Sequence, residues 1–93
     1  MTVIIKRNGS REIFDPRKLR RAIAAAANEA DLPVDRCQTL VDDVTNEIAG
    51  DIGTKAEIRA IDLREIILAR LDRAEPRVAC SWRDYDREAK GLA

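Results

Sequence analysis

The pair Asn8-Gly9 stands between two short β-prone runs, Val3-Ile4-Ile5 before it and Arg11-Glu12-Ile13-Phe14 after it. Asn-Gly in that setting is the strongest short-range signal for a chain reversal, because both residues tolerate the positive φ that a tight turn demands. The spacing predicts strands over residues 2–6 and 11–14, rich in β-branched side chains on the first arm. The reversal can be a two-residue turn or a three-residue loop with a bulge, and the sequence leaves both open.

Asp15-Pro16 then opens a helix. Asp15 can cap it, and proline fits the first helical position because its missing N–H would be unpaired there in any case. Leu19, Ala22, Ile23, Ala26, Ala27 and Ala30 follow at helical spacing, and the four alanines of residues 24–27 permit close approach of another backbone. Residues 31–35 divide this helix from a second, with Pro33 near its first turn. The second helix is predicted to run to about residue 49, with Val34, Cys37, Val41, Val44 and Ile48 on one stripe, Leu40 beside it, and Gly50 and Gly53 bracketing the turn that ends it. A short extended piece is predicted at 57–59. A third helix over 61–73 buries Leu63, Ile66, Ile67 and Leu71. Glu75-Pro76 breaks the chain, and a fourth helix to about residue 90 buries Val78, Ala79, Trp82, Tyr85 and Ala89. The fold class is α+β: a β-hairpin, extended by a third short strand into a small sheet, packed on a four-helix bundle.

The chain's 93 residues suit one domain over 1–93 with one core. Aromatic residues are only 3%, so that core must be built from Ile, Leu, Val and Ala. Seventeen basic and seventeen acidic residues balance overall, but residues 1–21 hold seven basic groups and two acidic ones. A basic cluster on a neutral chain favours a compact anionic ligand over a long polyanion. Histidine is absent and the two cysteines, Cys37 and Cys80, are far apart, which excludes a structural zinc site. Both thiols are expected to be free and buried, in a reducing compartment. No apolar run approaches a membrane span and no signal-peptide core is present, so the expected location is cytoplasmic. The lack of histidine, and of a serine or cysteine beside a plausible base, argues against an enzyme. The phosphate loop GxxxxGK[ST] is missing as well.

The chemistry concentrates in Ile4-Ile5-Lys6-Arg7-Asn8-Gly9 and Glu12-Ile13-Phe14-Asp15-Pro16-Arg17-Lys18-Leu19. The hairpin sets Lys6 and Arg7 beside its turn, and the Asp15 cap sets Lys18 in the first turn of the helix. A cation there opposes the helix dipole. That cost is explained by a phosphate, which helix N-termini and basic side chains both attract. Arg17 and Arg20 are read as facing solvent, and Trp82 and Tyr85 as core aromatics.

This stretch resembles the ATP-cone family. The family's opening pattern, Val-x-Lys-Arg-x-Gly followed by Phe-Asp and then Lys-Ile or Lys-Leu, is met by Ile4-Ile5-Lys6-Arg7-Asn8-Gly9, Phe14-Asp15 and Lys18-Leu19. Leu63-Arg64-Glu65-Ile66-Ile67 with Leu71 is similar to the family's third helix, and Val78-Ala79-x-x-Trp82-Arg83-x-Tyr85 to its last. ATP cones occur at the N-terminus of many ribonucleotide reductases, behind a zinc ribbon in the bacterial repressor of reductase genes, in some archaeal kinases and as short free-standing proteins. The resemblance implies a pocket for ATP or dATP, with or without Mg2+, between a small sheet and a four-helix bundle. It implies that Lys6, Arg7 and Lys18 contact phosphates, that Ile4 packs on the adenine, and that Glu12 accepts from its exocyclic amine. Leu19 closes the motif and is counted with the site. Arg64 falls where some reductase cones have a histidine near the nucleotide, and Ala60 where a Ser or Thr is common. Arg87 and Lys90 are candidates for a further phosphate charge.

The function expected is a free-standing regulatory module that binds ATP or dATP without hydrolysis. It would signal by homo-oligomerising or through a trans partner, such as a nucleotide-metabolism enzyme or regulator. The alternative is a small nucleic-acid-binding protein using the basic hairpin and first helix. Neutral total charge and the lack of exposed aromatics weigh against nucleic acid as a partner.

Overall fold

A computed structural model describes the backbone over residues 2–91 and side chains over residues 2–84. The elements run β1 (Val3–Ile5), β2 (Arg11–Ile13), α1 (Pro16–Glu29), α2 (Val34–Ile52), β3 (Glu57–Arg59), α3 (Ala60–Ala74) and α4 (Pro76–Gly91). The sheet order is β2-β1-β3, antiparallel between β1 and β2 and parallel between β1 and β3. This is the α+β architecture expected, a three-stranded sheet with four helices.

The hairpin closes by the three-residue route. The Gly9 N–H donates to the Lys6 carbonyl at 2.9 Å, the Lys6 N–H donates to the Ser10 carbonyl at 2.9 Å, and the loop is Arg7-Asn8-Gly9. Gly9 alone among these takes a positive φ, +87°, whereas a two-residue type I′ turn needs two such residues. The Asn8 side-chain carbonyl accepts from the Ser10 N–H at 3.0 Å and lies 2.7 Å from the Ser10 hydroxyl, which pins the loop.

Register sorts the strand residues between two faces. Ile4 stands opposite Glu12 on one side and Ile58 on the other. Ile58 is buried and Ile4 packs against the core, so this face meets the helices. The reverse face carries Val3, Ile5, Arg11, Ile13, Glu57 and Arg59, and an Arg11–Glu57 ion pair at 2.9 Å spans it above β1. Thr2 ties the sheet to α2: its buried hydroxyl lies 2.7 Å from the Ile52 carbonyl oxygen and 3.0 Å from that of Lys55.

The Asp15 carboxylate accepts from the Arg17 N–H at 2.9 Å and caps α1, with Pro16 at the first position. The helix ends where Asp31 turns left-handed at φ 58°, and the Leu32 N–H reaches back to the Ala27 carbonyl at 3.1 Å. Pro33 is the N-cap of α2, one position before the expected first turn. That helix also runs through Gly50 to Ile52. Gly in a helix costs about 1 kcal/mol, but extending it fully buries Ile52, whose side chain gains more than that.

Leu19, Ile23, Ala26, Ala27 and Ala30 of α1 face Leu40, Val41, Val44, Ile48 and Ile52 of α2 and the apolar sides of α3 and α4 in one core. Three expectations about burial change. Ala22 is exposed, because it lies off the arc that Leu19, Ile23 and Ala26 turn inward. Val34 is 82% exposed, because it begins α2 where neighbouring elements leave it uncovered. The thiols are free but not buried: Cys37 is half-buried at the core margin, and Cys80 points outward beside inward-facing Val78 and Ala79. Leu68 and Ile52 join the core. Tyr85, Ala89, Arg87 and Lys90 lie outside the described side chains. No helix among the described residues is long and apolar enough to cross a membrane.

Candidate functional site

Parallel pairing of β1 with β3 brings the start of α3 alongside the hairpin, and a cleft of about 550 Å³ opens between them. Ile4, Ile5, Lys6 and Arg7 form one wall, and Arg59, Ala60, Ile61 and Arg64 the other. Leu63 and Ile67 floor it, and half-buried Trp82 from α4 closes one side. The volume falls in the range of small-molecule sites, and the lining has their usual composition, apolar surface with a few convergent polar groups. Every charged group in the lining among the described residues is a cation: Lys6, Arg7, Arg59 and Arg64.

An ion cluster adjoins this wall. Glu12 projects from β2 on the same face as Ile4. One carboxylate oxygen lies 2.8 Å from the Lys6 ammonium and the other 2.8 Å from that of Lys18, in the first turn of α1. Hydrogen bonds from Lys18 and Lys6 hold the Glu12 carboxyl down to about 2, and the bond to Glu12 raises Lys18 above the ordinary lysine value. The carboxyl of Asp15 is also lowered, chiefly by the Arg17 N–H that it caps. At the mouth of α3 the Arg59 guanidinium meets Asp62 at 2.9 and 3.3 Å, which raises it above the ordinary arginine value. Arg7 is exposed and has no ion pair among the described residues.

The structure thus gathers Ile4, Lys6, Arg7 and Arg64 in the cleft and sets Glu12 and Lys18 beside it through Lys6. Leu19 is not in the lining: it is 7% exposed and packs into the core. Arg20, read as facing solvent, pairs with Asp42 of α2, while Arg17 is exposed as expected. Sequence reading missed Arg59 and Ile61 as lining residues. Their place depends on β1–β3 pairing across some fifty residues of chain, which no local pattern encodes. Trp82 packs against the core as expected but also lines the cleft.

The model of the ATP cone domain matches residues 2–88. The chain belongs to the ATP-cone family. The cone is similar to the Transcriptional repressor NrdR of Gloeobacter violaceus, 33% identical over 92 residues, 99% of this chain and 52% of that protein. It is similar also to that of Thermosynechococcus vestitus, 37% identical over 73% of this chain and 41% of the relative, and to that of Nitrobacter winogradskyi, 34% identical over 94% and 55%. The chain spans about half the length of the curated relatives it matches. Membership makes the cone a regulatory nucleotide-binding module, of a kind whose regulatory ligand is ATP or dATP. The relatives' name leaves the expectation that nucleic acid is not a partner without support.

The cleft fits such a ligand. An apolar floor with an indole at one side suits a base, and cations at both walls suit phosphates. The described residues contain no group of three or more Cys, Asp or Glu that could hold a metal ion.

Proposed function

We propose that the chain binds ATP or dATP in the cleft between the hairpin and α3 and serves as a sensor of the nucleotide. The observation that carries this reading is the lining itself: four cations over a floor of Leu63 and Ile67, with Ile4 and Trp82 beside it. Lys6 and Arg7 would hold phosphates from the hairpin side, with Lys18 reaching in from α1. Ile4 would pack on the adenine. Mg2+, where present, would be carried by the phosphates. Among the described residues the lining contains no carboxylate and no imidazole, which supports a nucleotide that stays intact.

Calorimetric titration tests the reading. The wild type should bind ATP, and Lys18→Ala should bind it about ten- to a hundredfold more weakly, the scale of a lost hydrogen bond to a charged group. A folded wild type that takes up no ATP overturns it. Phosphate release from ATP and magnesium should be no faster than with a Lys6→Ala, Lys18→Ala double variant.

A second reading follows from the relatives' name as transcriptional repressors. In it, the occupancy of this site governs contact with DNA. Salt-titrated DNA binding, with and without ATP, tests it: a steep salt slope that changes with ATP supports it, and no binding at low salt contradicts it.

A further inference from the structure

The backbone of β2 is satisfied along one side only. The Phe14 N–H donates to the Thr2 carbonyl at 2.8 Å and the Lys6 N–H to the Ser10 carbonyl at 2.9 Å. Bonded and non-bonded pairs alternate along an antiparallel ladder, so Ile4–Glu12 is a bonded pair, whereas Val3–Ile13 and Ile5–Arg11 are not. The N–H and C=O groups of Arg11 and Ile13 therefore point away from β1, where the sheet has no further strand among the described residues. Asp15 continues the extended backbone, at φ −117° and ψ 109°, and shares their parity. Side chains alternate with the backbone: Glu12 stands with Ile4 on the helix side, and Arg11, Ile13 and Asp15 on the open face. Ile13 is 55% exposed there, beside half-buried Val3.

We propose that β2 pairs with the β2 of a second copy of this chain, antiparallel about a two-fold axis at Ile13, joining two three-stranded sheets into one of six strands. An edge with open backbone groups is a template for another strand. The order of side chains along this edge selects a second copy. With Ile13 opposite the partner's Ile13, Arg11 falls opposite the partner's Asp15, and Asp15 opposite the partner's Arg11. Opposite charges then face each other at both ends and the apolar side chains meet between them. A slip of the register breaks both charge pairs, so the pattern fixes the alignment as well as the partner. Both charged groups have capacity to spare. Arg11 is 63% exposed, and its bond to Glu57 uses only part of a guanidinium with five N–H groups. Asp15 meets Arg17 through Oδ1, and among the described residues its Oδ2 has no hydrogen bond. The contact is isologous and closes at two copies. So short an edge makes a small interface, and the association is weak and concentration-dependent. No β2 residue lines the cleft among the described residues, so the proposal does not depend on what the cleft holds.

Analytical ultracentrifugation without nucleotide, over rising protein concentration, tests this on wild type, Ile13→Lys and Val34→Lys. Wild type should pass from monomer to dimer. Ile13→Lys sets two like charges face to face at the axis and should stay monomeric. Val34→Lys changes an apolar side chain that is more exposed than Ile13 but lies on α2, and it should dimerise as wild type does. Amide hydrogen exchange on the wild type reads the register. The outward Ile13 N–H should exchange about tenfold more slowly once the dimer predominates, while the Glu12 N–H, already bonded to β1, should change little. A wild type that stays monomeric up to about 1 mM overturns the proposal. So does a dimer that survives Ile13→Lys, or an Ile13 N–H whose exchange stays constant as the dimer forms, because assembly then uses another surface. None of these outcomes bears on the nucleotide reading, which calorimetry tests separately.

Discussion

At Glu12 a single carboxylate is shared by two ammonium groups, and its pH dependence follows from that contact. Its folded-state value is lowered from 4.5 to about 2, so it binds its proton less readily folded than unfolded. The stability it contributes is fully present above the unfolded value and is lost as pH falls from about 4.5 toward 2. Wild type should therefore melt above Glu12→Gln at neutral pH, and the gap should close across that acid window. Melting curves of both proteins from pH 7 to pH 2 check this; a gap that persists at pH 2 contradicts the assignment to the ionised carboxylate. Asp15 and Asp72 are lowered in the same direction, the first by the backbone N–H of Arg17 and the second by Arg83, so wild type and variant should both lose stability in acid. Lys6 and Lys18 were legible in the sequence from their offsets to the hairpin and the helix cap, and Glu12 through the resemblance to the family. Their mutual pairing was not, because it depends on the angle at which α1 leaves the sheet.

Elements with local signals appear where the sequence places them. Asn8-Gly9 marks the hairpin, Asp15-Pro16 opens α1, and helical spacing of apolar residues finds all four helices to within a few residues. The departures arise where a distant contact outweighs a local preference. Gly50 reads as a terminator, yet α2 continues through it because Ile52 reaches the core. The boundary residues themselves are open to test. Asp31 adopts φ 58°, a conformation that disfavours a residue with a Cβ, so Asp31→Gly should stabilise the fold by about 1 kcal/mol. A Cβ at Gly53 would lie 2.6 Å from the Ala49 carbonyl oxygen, so Gly53→Ala should destabilise it. Chemical denaturation of the two variants should give midpoints on opposite sides of wild type. Two shifts of the same sign would contradict the backbone account of how α1 and α2 end.

At the scale of the whole molecule, the alanines that permit close helix approach are largely spent inside: Ala26, Ala27 and Ala30 are buried in the bundle. The large apolar side chains left exposed among the described residues are Ile13, Val34 and Ile61, at 55%, 82% and 49%. Ile61 also lines the cleft. Light scattering after size exclusion, without nucleotide and with ATP or dATP, should show a partial redistribution of mass. A complete switch would need several kcal/mol of differential binding. Identical masses in all three conditions would assign the readout to a separate partner. The chain carries one natural probe of where the nucleotide binds. Trp82 is the sole tryptophan and lines the cleft. Titration with ATP should produce a saturable change in its fluorescence, shifted to much higher ATP in the Lys6→Ala, Lys18→Ala double variant. Emission that stays constant through the concentrations at which calorimetry shows ATP saturating the protein would place the nucleotide elsewhere.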